Sequence, residues 1–203
     1  VSYNILADAY AQTEFSRTVL YPYCAPYALE LDYRQNLLKK ELAGYSADLV
    51  CLQEVDRSAF AESLAPALDA FGLEGYKRWI LWTGLPQKHK LLIHFFKYII
   101  SFKTYEIFHF FIQVSVLQSA TDPSRKICVA NTHLYWHPKG GNIRLIQIAI
   151  ALSHIKHIAC DLYPSIPIIF CGDFNSTPSS GAYSFINSGS IGLGKTIFSI
   201  SVF

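Results

Sequence analysis

Four short apolar runs, each closing on residues that a hydrophobic core has no use for, set the terms for this chain. They are residues 1–6 (VSYNIL), 48–54 (DLVCLQE), 127–133 (ICVANTH) and 166–173 (IPIIFCGD). Their length and β-branched content predict buried strands. Helical patterns lie between them. Residues 33–42 place Leu37, Leu38 and Leu42 on one side, with Arg34, Lys39 and Lys40 elsewhere. Residues 63–71 form a shorter candidate, with Pro66 in its first turn. Residues 142–162 give the longest helical pattern, with Asn142 as its N-cap and Ile143, Ile146, Ile150 and Ile155 at helical spacing. Strand, helix, strand, twice over, predicts an α/β fold. Its 203 residues suffice for one domain over residues 1–203.

Composition narrows the partners. Hydrophobic residues make up 51% and charged residues 16%, apolar but not membrane-like. The longest apolar stretch, residues 91–112, is interrupted by His94, Lys97, Lys103, Glu106 and His109, which argues against a spanning helix. The expectation is no membrane. A net charge of +2 is too mild to imply nucleic-acid binding, so a charged substrate must be argued from a local site. Of five cysteines, Cys51, Cys128 and Cys171 lie in apolar runs and none forms a C-x-x-C pair. They read as small buried hydrophobes in a reducing compartment. The chain has no methionine and opens directly on a strand-like run, so it reads as a fragment or a processed chain.

Two segments break the pattern. Residues 76–112 crowd lysines, histidines and aromatics together, with Glu106 as the only acid. They follow neither helical nor strand periodicity and read as an atypical insert or replacement. The tail at 192–203 (GLGKTIFSISVF) reads as similarly foreign to the core.

The chemistry lies in what ends each strand. The first run contains Asn4, and the second ends at Gln53-Glu54. The third ends at Asn131-Thr132-His133, and the fourth at Gly172-Asp173-Phe174-Asn175-Ser176. Ligand sites in α/β sheets gather where strands give way to loops. Magnesium prefers oxygen ligands and keeps several waters. Glu54 supplies an anionic oxygen and Asn4 a neutral carbonyl oxygen. Asp173 can bind the metal or hold an attacking water. Asn175 offers an amide donor to a phosphate oxygen, and a protonated His133 can stabilise developing charge. Taken singly, each has a bland reading: a solvated strand end, a structural histidine, a turn. As an ordered set they point to metal-assisted attack of water on a phosphodiester.

The motifs S-Y-N-I-L-A (2–7), C-L-Q-E-V-D (51–56), N-T-H-L-Y-W-H-P (131–138) and C-G-D-F-N-S-T-P (171–178) resemble, in order, those of the exonuclease-endonuclease-phosphatase family, which includes deoxyribonuclease I. The longer forms at 20–33 and 137–146 resemble its 2',5'-phosphodiesterase and deadenylase branch. The resemblance covers residues 1–75 and 114–191. It implies a four-layer α/β/β/α sandwich of the deoxyribonuclease I type, incomplete here. It implies Mg2+, with Glu54 and Asn4 as principal ligands and Asp173 and Asn175 as further ones. It implies Asp173, Asn175 and His133 as catalytic residues. The implied substrate is adenosine-rich RNA, poly(A) or 2'-5' oligoadenylate, cleaved to 5'-AMP. The implied location is the mitochondrial matrix, with the cytoplasm as alternative.

Two departures temper the expectation. Family members carry a later Ser-Asp-His motif whose histidine sits at the reacting phosphate, and no such triplet occurs in these 203 residues. Nor does 76–112 contain the family's Tyr-Arg or Phe-Arg-Lys type of motif. The expectation is an N-terminal part with weak or no hydrolysis, or alternatively a non-catalytic RNA-binding remnant. Other motifs compete. Residues 189–196 (GSIGLGKT) fit the phosphate-cradling pattern around Lys195, but a strand-favouring sequence follows where a helix is needed. His154, His157 and Cys160 mimic half a zinc site, or form a mixed helix face. Tyr135, Trp136, Lys139 and Arg144 suit a grip on single-stranded RNA, or an ordinary loop.

Overall fold

The computed structural model describes residues 1–70, 81–83, 98–101, 111–119 and 122–188. The tail at 192–203 and the GSIGLGKT stretch lie outside the described residues, as does most of 76–112. The chain divides into two compact units, Val1–His89 and Lys90–Phe203.

In the first unit, β1 (Ser2–Asn4) runs parallel to β2 (Leu49–Gln53), with Asn4 opposite Gln53. On the other side of β2 lies β3 (Leu81–Thr83), antiparallel. The central strand is therefore apolar up to Gln53, and Val50 and Cys51 are fully buried. A short helix, α1 (Asp8–Ala11), follows β1, and α2 (Leu31–Tyr45) leads into β2. Leu38 and Leu42 from α2 pack with Ile5, Val50, Leu52, Phe60, Leu64 and Leu68. Leu37, expected on that face, is 49% exposed. It lies about 100° of helical rotation from Leu38, so both cannot face the same sheet. The helix expected from residue 63 starts earlier. Here α3 (Arg57–Ala59) passes through a wide turn, Phe60–Leu64, into α4 (Ala65–Ala70). In that turn the Ala65 N–H reaches back to the Phe60 carbonyl. The widened turn immediately precedes Pro66, which has no N–H to continue an ordinary ladder.

The second unit is built on a sheet ordered β4 (Tyr98–Ser101), β5 (Phe111–Gln118), β6 (Lys126–His133), β7 (Ile168–Asp173). Only β6 and β7 pair in parallel, and between them runs α5 (Gly141–Lys156), continued by a wide turn, His157–Leu162. A further helix, α6 (Gly181–Ser188), contributes Ala182 and Ile186 to the same core. The segment 76–112 contributes β3, β4 and the first residues of β5. From Ile112 onward β5 buries Ile112, Val114 and Val116 on one face, and Ser115 and Leu117 on the other are buried too.

The long helix departs from expectation in two ways. It begins at Gly141 with Gly140 at the N-cap, so Asn142 sits inside the first turn and caps nothing. Its buried face is Arg144, Gln147, Ile148, Ala151, Leu152 and Ile155, whereas Ile146 is 44% exposed. Two polar residues thus occupy the inner stripe, which an apolar count misses. Gly141–Leu162 is long and apolar enough to cross a membrane by length and composition. Its packing through Ile148, Ala151, Ile155 and Ile158 against the strand residues Val114, Val116, Cys128 and Phe170 accounts for that apolarity.

Candidate functional site

In the first unit the parallel pairing of β1 and β2 brings their C-terminal ends out side by side. The Asn4 Nδ2 donates to Glu54 Oε1 at 2.9 Å, and the Leu6 N–H donates to Asn4 Oδ1 at 2.9 Å. The Ala7 N–H donates to the other Glu54 oxygen at 3.1 Å, and the Asp8 N–H to Asp56 Oδ2 at 2.5 Å. Asn4 thus turns its amide NH2, not its carbonyl oxygen, toward Glu54. Leu6 and Glu54 both hold left-handed backbone, at φ 58° and 55°. That region costs a non-glycine residue about 1–3 kcal/mol. Here the cost secures a chain reversal that lays three successive N–H groups along the motif's side-chain oxygens.

The second unit assembles the rest. The parallel register of β6 and β7 sets His133 opposite Asp173, and His133 Nε2 lies 3.7 Å from Asp173 Oδ2. The Asn175 N–H donates to Asp173 Oδ1 at 2.9 Å, and its Nδ2 donates to the Leu134 carbonyl at 2.9 Å. Asn175 is left-handed, at φ 45°, a conformation its short polar side chain tolerates. Gly172 sits at φ 147°, where an added Cβ would come 2.1 Å from the Thr132 carbonyl oxygen. The glycine of G-D-F-N therefore lets the two strands close up immediately before the carboxylate.

Each sequence-predicted residue falls in one of two constellations: Asn4 with Glu54, and His133 with Asp173 and Asn175. Sequence reasoning missed Arg34, placed on the polar side of its helix. Its side chain is 13% exposed and serves the turn after β1. The expected role of Arg144 in an RNA grip is not what its geometry supports. It is 6% exposed, and Nη1 donates to the carbonyls of Tyr135 at 3.1 Å and His137 at 2.7 Å. Nη2 adds the Pro138 carbonyl at 3.4 Å, while Gln147 accepts the Tyr135 N–H at 2.9 Å. Both residues build the loop from inside, leaving Trp136 and Lys139 exposed.

The half zinc site also dissolves. His157 pairs with Asp161 at 3.0 Å, Cys160 is exposed, and burial and the neighbouring His157 hold His154 below its ordinary value. Among the described residues no group of three His, Cys, Asp or Glu side chains clusters as a metal site. Cys51 and Cys128 are buried as expected, but Cys171 is only half-buried, its Sγ directed at the Ala130 carbonyl, 3.4 Å away.

Known proteins place this geometry in context. The sequence model of the Endonuclease/Exonuclease/phosphatase family matches residues 1–198. The 2',5'-phosphodiesterase 12 proteins of Rattus norvegicus and Homo sapiens are each 60% identical over 217 aligned residues, covering 94% of this chain. The chain spans only 36% of the length of these curated relatives. The crystal structure of ANGEL2, a 2',3'-cyclic phosphatase, superposes with a TM-score of 0.75 at 31% identity, over 93% of this chain and 55% of that one. The human nocturnin catalytic domain, at 24% identity and a TM-score of 0.67 over 92% of this chain and 67% of that one, shares the fold. Two mixed α/β units, motif residues hydrogen-bonded at their strand ends and a match over nearly the whole length agree: this chain belongs to the endonuclease/exonuclease/phosphatase family.

Proposed function

We propose that this chain carries the metal- and phosphate-handling residues of a phosphodiesterase that hydrolyses adenosine-rich RNA. The observation that carries the reading is Glu54, a carboxylate at a strained strand end held on one oxygen by Asn4 and on the other by the Ala7 N–H. Strain of this kind is retained where a side chain must be aimed. Support for an RNA phosphodiester as substrate comes from the relatives' names, a 2',5'-phosphodiesterase and, at 28% identity, the 3'-5'-exoribonuclease subunit Ccr4 of Schizosaccharomyces pombe; the adenosine preference rests on the motif resemblance alone.

The residues suit magnesium by donor chemistry. Glu54 offers carboxylate oxygen, and an ion that keeps most of its waters needs one or two carboxylates rather than a closed cage. Glu54 would hold the ion, with Asn4 fixing the carboxylate through its amide NH2. Bound there, it would supply Lewis acidity and charge neutralisation at a phosphate. The remaining work belongs to the side chains. Asp173, held by the Asn175 N–H, accepts the proton of an attacking water. Asn175 orients a phosphate oxygen. His133, kept beside Asp173, donates to the developing negative charge.

The test is release of 5'-AMP from 2'-5' and 3'-5' oligoadenylate by the purified chain, with and without magnesium. The expected result is slow, magnesium-dependent release that Asp173→Asn lowers about 10²–10⁴-fold and chelation abolishes. Release indifferent to chelation and to Asp173→Asn would contradict it. One observation favours a second reading, an RNA-binding protein without turnover: Trp136 and Lys139 stand exposed on the loop after β6. Oligoadenylate binding with no product would select that reading.

A further inference from the structure

Arg34 reaches from the first turn of α2 to the turn that follows β1. Its Nη1 donates to the carbonyls of Ile5 at 3.2 Å and Leu6 at 2.7 Å. Its Nε donates to the Leu29 carbonyl at 3.2 Å, and its Nη2 lies 3.3 Å from Asp8 Oδ1. Gln12 holds the same Asp8 oxygen and the same Leu29 carbonyl, at 2.9 and 3.0 Å.

The peptide groups concerned have two ends. The Ile5–Leu6 peptide places its oxygen on Arg34 and its N–H on Asn4 Oδ1. The Leu6–Ala7 peptide places its oxygen on Arg34 and its N–H on Glu54 Oε2. One permanently charged guanidinium therefore grips, from behind, the two peptides whose front ends hold Asn4 and Glu54. Leu6 between them is left-handed, a conformation that leucine does not keep without outside constraint. Hydrogen bonds in series polarise one another, so a cation on the carbonyl side strengthens the N–H donors on the other.

Resting on the metal-site reading of Glu54, we infer that Arg34 is the positioning residue of that site. It acts through the Leu6 peptides, fixing the direction of the Glu54 carboxylate and the N–H it receives, and thereby setting the affinity for a divalent cation. Asp8 and Gln12 hold the turn from the α1 side. A lysine cannot substitute, because a single ammonium on a flexible stem does not reproduce a planar fork spread over three carbonyls and a carboxylate.

The experiment measures divalent-cation affinity directly, using Mn2+ and its electron paramagnetic resonance signal, so no turnover is required. Glu54→Ala should abolish binding. If it leaves Mn2+ affinity unchanged, the metal-site reading itself fails, whatever Arg34 does. With Glu54→Ala abolishing binding, Arg34→Lys should weaken affinity about 10–100-fold. Leu42→Ala, a core truncation in the same unit, should lower the melting temperature and leave affinity alone. Arg34→Lys behaving as Leu42→Ala does, less stable with unaltered affinity, would overturn the role. In the unaltered protein, Mg2+ should shift the amide resonances of Leu6 and Ala7. Unmoved resonances during Glu54-dependent binding would also overturn it, even if Arg34→Lys does not fold.

Discussion

Gly172 makes the strictest steric demand among the described residues of the second unit. At φ 147°, with the Thr132 carbonyl oxygen 2.1 Å from a built Cβ, alanine there must push β6 and β7 apart just before His133 and Asp173. We predict that Gly172→Ala costs at least about 1–3 kcal/mol, read from the urea midpoint, and lowers activity beyond what the stability loss explains. Thiol chemistry gives a second residue-scale prediction. Burial pushes the Cys128 thiol up to about 11, whereas Cys160 is exposed. At pH 8 an alkylating reagent should modify Cys160 promptly and reach Cys128 only after unfolding. Rapid labelling of Cys128 in the native protein would show the core to be open. The placement of Asn4, Glu54, His133, Asp173 and Asn175 at strand ends was legible in the sequence because polar residues there interrupt runs that are otherwise apolar. Leu6 and Arg34 were not. Nothing in the letter Leu reveals a left-handed backbone, and an arginine on a helix is ordinarily a solvated one.

At the scale of elements, α5 is held to its loop by buried polar groups. Arg144 donates to the carbonyls of Tyr135, His137 and Pro138 from an almost fully covered position. Arg144→Met should keep the helix and strand those carbonyls. We expect a loss of about 3 kcal/mol, measured by denaturant unfolding, together with faster hydrogen exchange in the loop between β6 and α5. An unchanged midpoint would mean that water replaces the guanidinium without cost. The four expected strands were found because short apolar β-branched runs have few other uses. The face of α5 was misjudged because Arg144 and Gln147 fill inner positions that an isoleucine count assigns to solvent. The strand β5 was overlooked although Ile112, Val114 and Val116 alternate, because it abuts a segment without clean periodicity.

For the molecule as a whole, His154 gives a pH dependence. Burial first, and the charge of His157 second, depress its folded value below the ordinary 6.5. Its contribution is complete above that ordinary value and is lost as pH falls through the depressed one. The chain should therefore lose stability on acidification below about pH 6.5, and His154→Phe should flatten part of that loss. An unchanged acid limb would contradict it. The two sheet-and-helix units were legible as an α/β fold from the order of runs. The boundary between them was not, because it falls in residues 76–112, where composition gives no periodicity to read. The central claim is that the Glu54 carboxylate, held by Asn4 and the Ala7 N–H, is where a divalent cation would bind. The magnesium-dependent part of the affinity for a hydrolysis-resistant phosphorothioate oligoadenylate tests it most directly. The account predicts that Glu54→Ala removes most of that magnesium-dependent affinity. A Glu54→Ala variant that binds as the parent does would contradict it.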